Sequence, residues 1–251
     1  MSDRPQSGLE RLWRRDELDR SPRLGLSLER VVQSGIELAD SDGMGAVSMK
    51  RVAERLGFTT MSLYRYVKSK DELLLLMHDT CWQPPPGLDV PLDTWRDGLA
   101  RWTHEQHLIM QRHPWLDEVR FIERAGTPSQ IAWMDLGLRA LTGAPLSEYL
   151  KLAVLLLLGG YVSSQARLAG ATVEGARQGL FGQPDQATEA LGELLRTVVS
   201  AERFPALHAA IVGGAFAPPE SPTYAPFDLG LGLMLDGVDE LMRRQAPPPA
   251  P

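Results

Sequence analysis

Apolar residues recur along this chain at helical rather than strand spacing. Leu28, Val31, Val32, Gly35, Ile36 and Ala39 fall on one side of a 3.6-residue period, which predicts an amphipathic helix over about Ser27 to Ser41. Ser27 can cap its start, and Asp42-Gly43 with Gly45 ends it. A short helix follows from Ser48. Met49, Val52, Ala53 and Leu56 form its inner stripe, and Lys50, Arg51, Glu54 and Arg55 lie opposite. Gly57 stands where a left-handed terminating residue is wanted. A second short helix is predicted over about Thr60 to Val67, capped by Thr59 or Thr60, with Leu63 and Val67 turned inward. Ser69-Lys70-Asp71-Glu72 reads as a capping box in which Ser69 and Glu72 answer each other's backbone donors, and it opens a helix through Leu73 to Trp82.

Gln83-Pro84-Pro85-Pro86-Gly87 stops that helix and marks a module boundary. Beyond it, helices are expected at about 93–112, 114–123, 127–142, 146–169, 186–201 and 227–244, with a short one near 204–212. Gly213 to Pro226 reads as a connection and residues 246–251 as a frayed Pro-rich tail. No strand-like alternation and no repeat occurs. The expected class is all-α: an N-terminal three-helix helix-turn-helix head at 25–83, a helical bundle at 88–245, and a basic, flexible arm at 1–24.

Composition narrows the setting. Of 251 residues, 43% are apolar and 23% charged, as in ordinary globular proteins. Cys81 is the single cysteine, so an intrachain disulfide is impossible and a reducing compartment fits. The longest apolar run, Leu152 to Val162, is too short to span a bilayer and predicts a buried helix. The first 20 residues lack an apolar stretch that could serve as a secretory signal. A cytoplasmic protein with no membrane partner is expected.

The net charge of −6 is unevenly spread. Residues 1–70 carry 13 Lys/Arg against 10 Asp/Glu, and within 48–70 six cations face Glu54 alone. A basic island on an acidic body suits docking one face on a polyanion. Two short helices joined by a Gly-containing turn, behind a longer scaffold helix, form the helix-turn-helix pattern, whose second helix offers its first residues to the major groove. On that helix Met61, Ser62 and Arg65 lie opposite Leu63 and Val67. Tyr64 and Tyr66 fall on the borders, where a phenol could reach phosphate. Thr59, Thr60 and Ser62 supply short hydroxyls, Ser48 and Lys50 open the preceding helix, and Lys68 and Lys70 could neutralise phosphates.

The stretch Ser48 to Leu73, with its run Leu63-Tyr64-x-Tyr66-Val67-x-x-Lys70, resembles the DNA-binding domain of the tetracycline-repressor family, and the likeness extends over about residues 25–80. The resemblance implies that Ser48, Met49, Lys50, Thr60, Met61, Ser62, Tyr64, Tyr66 and Lys70 contact operator DNA. Met49 stands where the repressor has a small hydroxyl residue, and Met61 where it has proline. The arm's Arg11, Arg14, Arg15, Arg20 and Arg23 could add backbone or minor-groove contacts.

The resemblance also implies a helical C-terminal domain that dimerises and holds a small-molecule effector. Candidate walls are Trp95, Trp102, Met110, Trp115, Phe121, Trp133, Met134 and Tyr161, with His104, His107, Gln165 and Arg167 as polar groups, which together suit a mainly hydrophobic ligand. Each is more often plain core. Gly159-Gly160 interrupts an apolar helix and calls for close packing or a void beside a ligand. Leu191, Leu194, Leu195, Val198 and Val199 form one stripe. Leu229, Leu231, Leu233, Met234, Leu235, Val238, Leu241 and Met242 form another. Together they make a four-helix seam with a twofold mate, or else complete the monomer core. No position matches the histidine by which the tetracycline repressor holds its drug as a magnesium chelate, so tetracycline is not the expected ligand.

Catalytic signatures are missing. There is no phosphate loop, no G-x-S-x-G elbow, no dinucleotide fingerprint and no H-E-x-x-H, which His104-Glu105-Gln106-His107 misses by one residue. Neither cofactor nor metal is expected. The leading reading is a ligand-responsive homodimeric DNA-binding regulator, more often a repressor. The rivals are an architectural DNA binder without effector, and a helical carrier or enzyme.

Overall fold

The computed structural model describes residues 8–13, 25–88, 94–119, 125–177, 179, 186–217 and 226–245, and among these no β-strand occurs. The chain divides into two compact units, Met1–Ser163 with Leu235–Pro251, and Ser164–Met234.

Helix α1 spans Gly8–Trp13 and α2 spans Leu28–Asp42. Ser27 Oγ accepts the Arg30 N–H at 3.2 Å and caps α2. After a 3-10 turn at Met44–Ala46 comes α3, Met49–Leu56, capped by Ser48 Oγ on the Arg51 N–H at 3.2 Å. Gly57 then adopts φ 74° and ψ 26°, a left-handed conformation that a Cβ would strain, and its N–H closes on the carbonyls of Ala53 and Glu54. Helix α4 is only Thr60–Leu63, and α5 runs Lys70–Cys81.

Helix α2 packs on α3 and α5. Val31, Val32, Ile36, Leu38, Val47, Val52, Leu63, Val67, Leu73, Leu76 and Met77 are each at most 4% exposed. Each such side chain contributes about 1.5–3 kcal/mol of transfer free energy, so this small core holds the short α3 and α4 in place.

Two local expectations change. The regular turns of α4 stop at Leu63 rather than Val67, because the Leu63 carbonyl accepts from both Tyr66 N, at 2.9 Å, and Val67 N, at 3.0 Å, tightening the last turn. In the capping box, Ser69 Oγ takes the Glu72 N–H at 3.1 Å, but Glu72 Oε2 reaches further back, to the Lys68 N–H at 2.6 Å.

Where the sequence suggests a free arm, α1 docks on α5, burying Leu12, and Trp13 Nε1 donates to the Gly126 carbonyl at 3.0 Å. Residues 14–24, with four of the arm's arginines, lie outside the described residues, as do Phe121, the tail 246–251 and part of the 213–226 connection.

Helix α6 spans Trp95–Arg112, α7 Pro128–Ala140, α8 Glu148–Arg177, α9 Ala187–Val198, α10 Pro205–Val212 and α11 Pro226–Gln245. The helix expected at 114–123 is a 3-10 turn, Pro114–Glu118, as far as it is described. Over Glu148–Thr172, α8 is long and apolar enough to cross a membrane by length and composition, with mean hydropathy 1.4. It buries Val154, Leu155, Leu158 and Val162 but leaves Leu156, Leu157 and Leu168 exposed, so the helix that the apolar run predicts as buried is buried along one side.

Three ties, two of them buried, join the helix-turn-helix end of the first unit to the turn after α6 and to α7. Asp40 Oδ1, on α2, accepts from His113 Nδ1 at 2.8 Å and from Trp115 Nε1 at 2.7 Å. Asp79 Oδ1, on α5, accepts the Ser129 N–H at 2.8 Å at the start of α7, where a carboxylate also meets the positive end of the helix dipole. Trp133 Nε1 donates to the Trp82 carbonyl at 2.7 Å, at the end of α5.

Candidate functional site

With Leu63 and Val67 fully buried, α4 and the turn after it present their other side outward. Met61 is 75% exposed and Tyr64 40%. Arg65, Lys68 and Lys70 are exposed, and Thr60 and Ser62 are half-buried. Thr59 caps α4, accepting the Ser62 N–H at 3.3 Å, and its hydroxyl lies 2.9 Å from Ser62 Oγ. The two hydroxyls orient each other at the helix entrance.

Ion pairs consume half of the basic island. Arg51 bonds Asp42 at 2.6 Å, Arg55 bonds Glu37 at 3.0 Å, and Lys50 lies 3.7 Å from Glu54. The Arg51 guanidinium holds the exposed Asp42 carboxyl below its usual range. Among the described residues no carboxylate pairs with the side chains of Arg65, Lys68 or Lys70. The unneutralised positive charge therefore gathers around α4 and the start of α5.

Two predicted contact residues are corrected. Met49 is 7% exposed, packed inward on the stripe that seats α3. The Tyr66 phenol donates to the Leu26 carbonyl at 2.9 Å, so it anchors the turn to the start of α2. Tyr64 carries the outward phenol.

The first unit holds a partly open apolar cavity of about 350 Å³, lined by Trp82, Trp102, Gln106, Gln130, Met134, Leu152, Leu155, Leu156, Gly159, Gly160 and Ser163. Its size falls at the lower end of ligand pockets, ~300–1,000 Å³. Among the described residues its polar side chains are two amides and one hydroxyl, and none that lines it is charged. Of the sequence candidates among the described residues, only Trp102 and Met134 reach it. Trp133 is completely buried behind the wall, between Trp82 at 6.2 Å and Trp102 at 6.1 Å between ring centroids. Met110 is core, and Trp115 is committed to Asp40. His104 Nδ1 donates to the Ala100 carbonyl at 2.8 Å, and the Gln111 amide meets His107 Nε2 at 3.1 Å, both bonds local to α6 and its end. Tyr161 is not a wall residue. Gln165 and Arg167 fall in the second unit. Trp82, Gln106, Gln130 and the α8 residues went unselected in the sequence. Only Gly159-Gly160, an oddity in an apolar helix, pointed to the place.

Burial first, and the Asp40 carboxylate second, push the Cys81 thiol up to about 12. It stays a thiol at neutral pH, which disfavours a reactive or redox role. Alkylation by iodoacetamide at pH 8 is expected only after unfolding, and rapid labelling of the native protein contradicts this. A folded-state value above the ordinary 9.0 contributes stability that is whole below pH 9 and fades as pH rises toward 12.

The apolar stripes divide. On α11, Leu231, Leu235, Val238 and Met242 are buried, whereas Leu229 and Leu233 are exposed. On α9, Leu191, Leu194 and Val198 are exposed, and on α8 so are Tyr149, Leu156 and Leu157.

Comparison with known proteins bears on both sites. The family model described as "Bacterial regulatory proteins, tetR family" matches residues 31–77, and "Tetracyclin repressor-like, C-terminal domain" matches residues 87–242. The HTH-type transcriptional repressor DrrR1 of Streptomyces coeruleorubidus is 33% identical over 248 residues, covering 97% of this chain and 88% of that relative. The TetR family protein ActR of Streptomyces coelicolor, in complex with actinorhodin, superposes with a TM-score of 0.68 at 23% identity, over 86% of this chain and 96% of that one. A possible TetR family transcriptional regulator from Streptomyces coelicolor A3(2) superposes at 0.64 with 22% identity, over 85% and 99%. The two superpositions speak to fold.

Proposed function

Because this chain belongs to the tetracycline-repressor family of bacterial transcriptional regulators, we propose that it is a homodimeric repressor working on DNA in the cytoplasm, and that a small, mainly hydrophobic effector entering its cavity releases it from its operator. Residues 25–83 form the DNA-binding head and 88–245 the effector-binding and dimerisation part. The observation that carries the reading is the outward set Met61, Tyr64, Arg65, Lys68 and Lys70, uncommitted to carboxylates and mounted on the buried Leu63 and Val67. The lysines and Arg65 take phosphates, Thr60, Met61 and Ser62 meet base edges, and Tyr64 donates to the backbone.

A palindromic operator needs two heads at a repeat of ~34 Å, hence a twofold dimer. In the second unit, exposed Leu191 and Leu194 on α9 and Leu229 and Leu233 on α11 supply apolar surface that a second copy would cover. Coupling runs through α5. That helix begins at Lys70 beside the DNA face and ends at Trp82 on the cavity wall. A ligand pressing on Trp82 acts on the helix that carries the head, and release follows if it binds the head-displaced state more tightly. The names of two similar proteins, a repressor and a structure with a bound small molecule, support this reading.

The test is a mobility-shift assay with duplex flanking the protein's own gene, competed by random duplex. The expected result is a shift that only the cognate duplex outcompetes. Tyr64→Ala should weaken it at least about tenfold, the loss of a hydrogen bond to a charged group at ~1.5–3 kcal/mol, with no change in Tm. Failure of any duplex to outcompete random sequence overturns the proposal.

A further inference from the structure

Three of the helices around the cavity each bring one polar side chain to it: Gln106 from α6, Gln130 from α7 and Ser163 from α8. Gln106 is 3% exposed, and its Nε2 donates to the Trp102 carbonyl at 3.3 Å, one turn back. That bond settles which way the amide points, because a carbonyl takes only a donor. Among the described residues nothing donates to Gln106 Oε1, and this oxygen is not one of the unpaired atoms that burial seals from solvent. It therefore keeps open surface on a side chain that is otherwise packed and that lines the cavity. The Gln130 amide and the Ser163 hydroxyl are likewise unpaired among the described residues and unsealed. The Trp82 indole nitrogen is sealed and offers a guest nothing.

These three groups differ in what they ask of a guest. A free amide or hydroxyl both donates and accepts, so Gln130 and Ser163 discriminate little. Gln106 has spent its donor on Trp102 and turns out only an acceptor, which a guest answers with an O–H or N–H. The rest of the wall sets the guest's body. Among the described residues no charged side chain lines the cavity, so an ion entering it would lose its hydration without compensation. The rings of Trp82 and Trp102 and the thioether of Met134 favour an aromatic framework. Gly159 and Gly160 clear the space. A Cβ built on either meets no atom within 4 Å, whereas at Gly137 a Cβ would come within 2.6 Å of Leu155 Cδ2. Gly137 is there for close packing, and the α8 pair leaves open volume.

We infer that this cavity takes an uncharged aromatic molecule bearing a neutral hydroxyl, and that the hydroxyl donates to Gln106 Oε1. The inference deepens the reading of the cavity as the effector site and rests on it for the ligand's role. It adds the ligand's chemical class, and makes Gln106 the residue that selects for it.

Equilibrium dialysis of the full chain with 2-hydroxyfluorene, its methyl ether 2-methoxyfluorene, fluorene and the anionic fluorene-2-carboxylate tests it. A purely apolar hollow ranks these probes by their preference for oil over water, with the hydroxyl compound behind its methyl ether and fluorene. The parent protein should reverse that order and bind 2-hydroxyfluorene most tightly, with the carboxylate at least about a hundredfold weaker than fluorene. This ranking needs no variant. In Gln106→Met, which keeps the side chain's length and loses its oxygen, the hydroxy-to-methoxy affinity ratio should fall about tenfold, the cost of leaving the buried hydroxyl unpaired. Gly159→Leu fills the cleared volume and should weaken all neutral probes alike, with no lower Tm. No uptake of 2-hydroxyfluorene up to its solubility limit, a parent ranking that follows oil preference, a ratio unchanged by Gln106→Met, or uptake indifferent to Gly159→Leu overturns the inference. A parallel mobility-shift assay separates the two levels. Gln106-dependent binding that leaves the DNA complex intact defeats the effector reading alone. Normal DNA binding with probes ranked by oil preference defeats this inference alone.

Discussion

Trp133→Ala is expected to destabilise the first unit by about 3–5 kcal/mol, the largest loss for any single side chain considered. Trp133 is wholly buried, and its ring sits between those of Trp82 and Trp102. Removing it opens a void beside an existing cavity, which limits collapse. It also leaves the Trp82 carbonyl without the indole that now donates to it. Trp133→Phe keeps most of the volume and loses the N–H, so about 1–3 kcal/mol is expected there. Thermal unfolding followed by circular dichroism measures both. A Phe variant as unstable as the Ala variant would show that the indole bond, rather than volume, dominates. An Ala variant that melts like the parent would show that the cluster of Trp82, Trp102 and Trp133 is no structural unit.

Leu63→Ala should cost about 2–5 kcal/mol, and for a chain of this size each kcal/mol moves Tm by about 2–4 °C. Leu63 has no exposed surface, and α4, at four residues, cannot hold itself by backbone bonding alone. Operator binding should be lost in proportion to head unfolding and be recovered at lower temperature. That pattern differs from Tyr64→Ala, which should lose affinity with Tm unchanged. Were Leu63→Ala to melt with the parent, the inward and outward faces of α4 would be exchanged, and the residues assigned to DNA with them.

The head was readable because its signals are local. A hydroxyl at Ser27, Ser48 or Ser69 caps the helix that starts beside it, and Gly57 takes the φ of 74° that a side chain resists. Periodicity alone places Leu63 and Val67 inward. It could not place Tyr66, whose border position is equally suited to phosphate and to protein. The decision falls to Leu26, 40 residues away, whose carbonyl takes the phenol's proton. Met49 illustrates the same limit: its place on the inner stripe of α3 was legible, and the family's contact position competed with it until burial decided.

The sequence by itself settled the helical class, the capped elements of the head and the face that α4 turns outward, since each depends on residues within a turn or two of one another. Tertiary structure alone decided which cations stay unpaired, because Asp42 and Glu37 reach Arg51 and Arg55 from another helix. It alone decided where the cavity lies. Its walls come from the end of α5 and from α6, α7 and α8, and a void has no sequence period, since it is the space that four helices fail to fill when their own cores are packed.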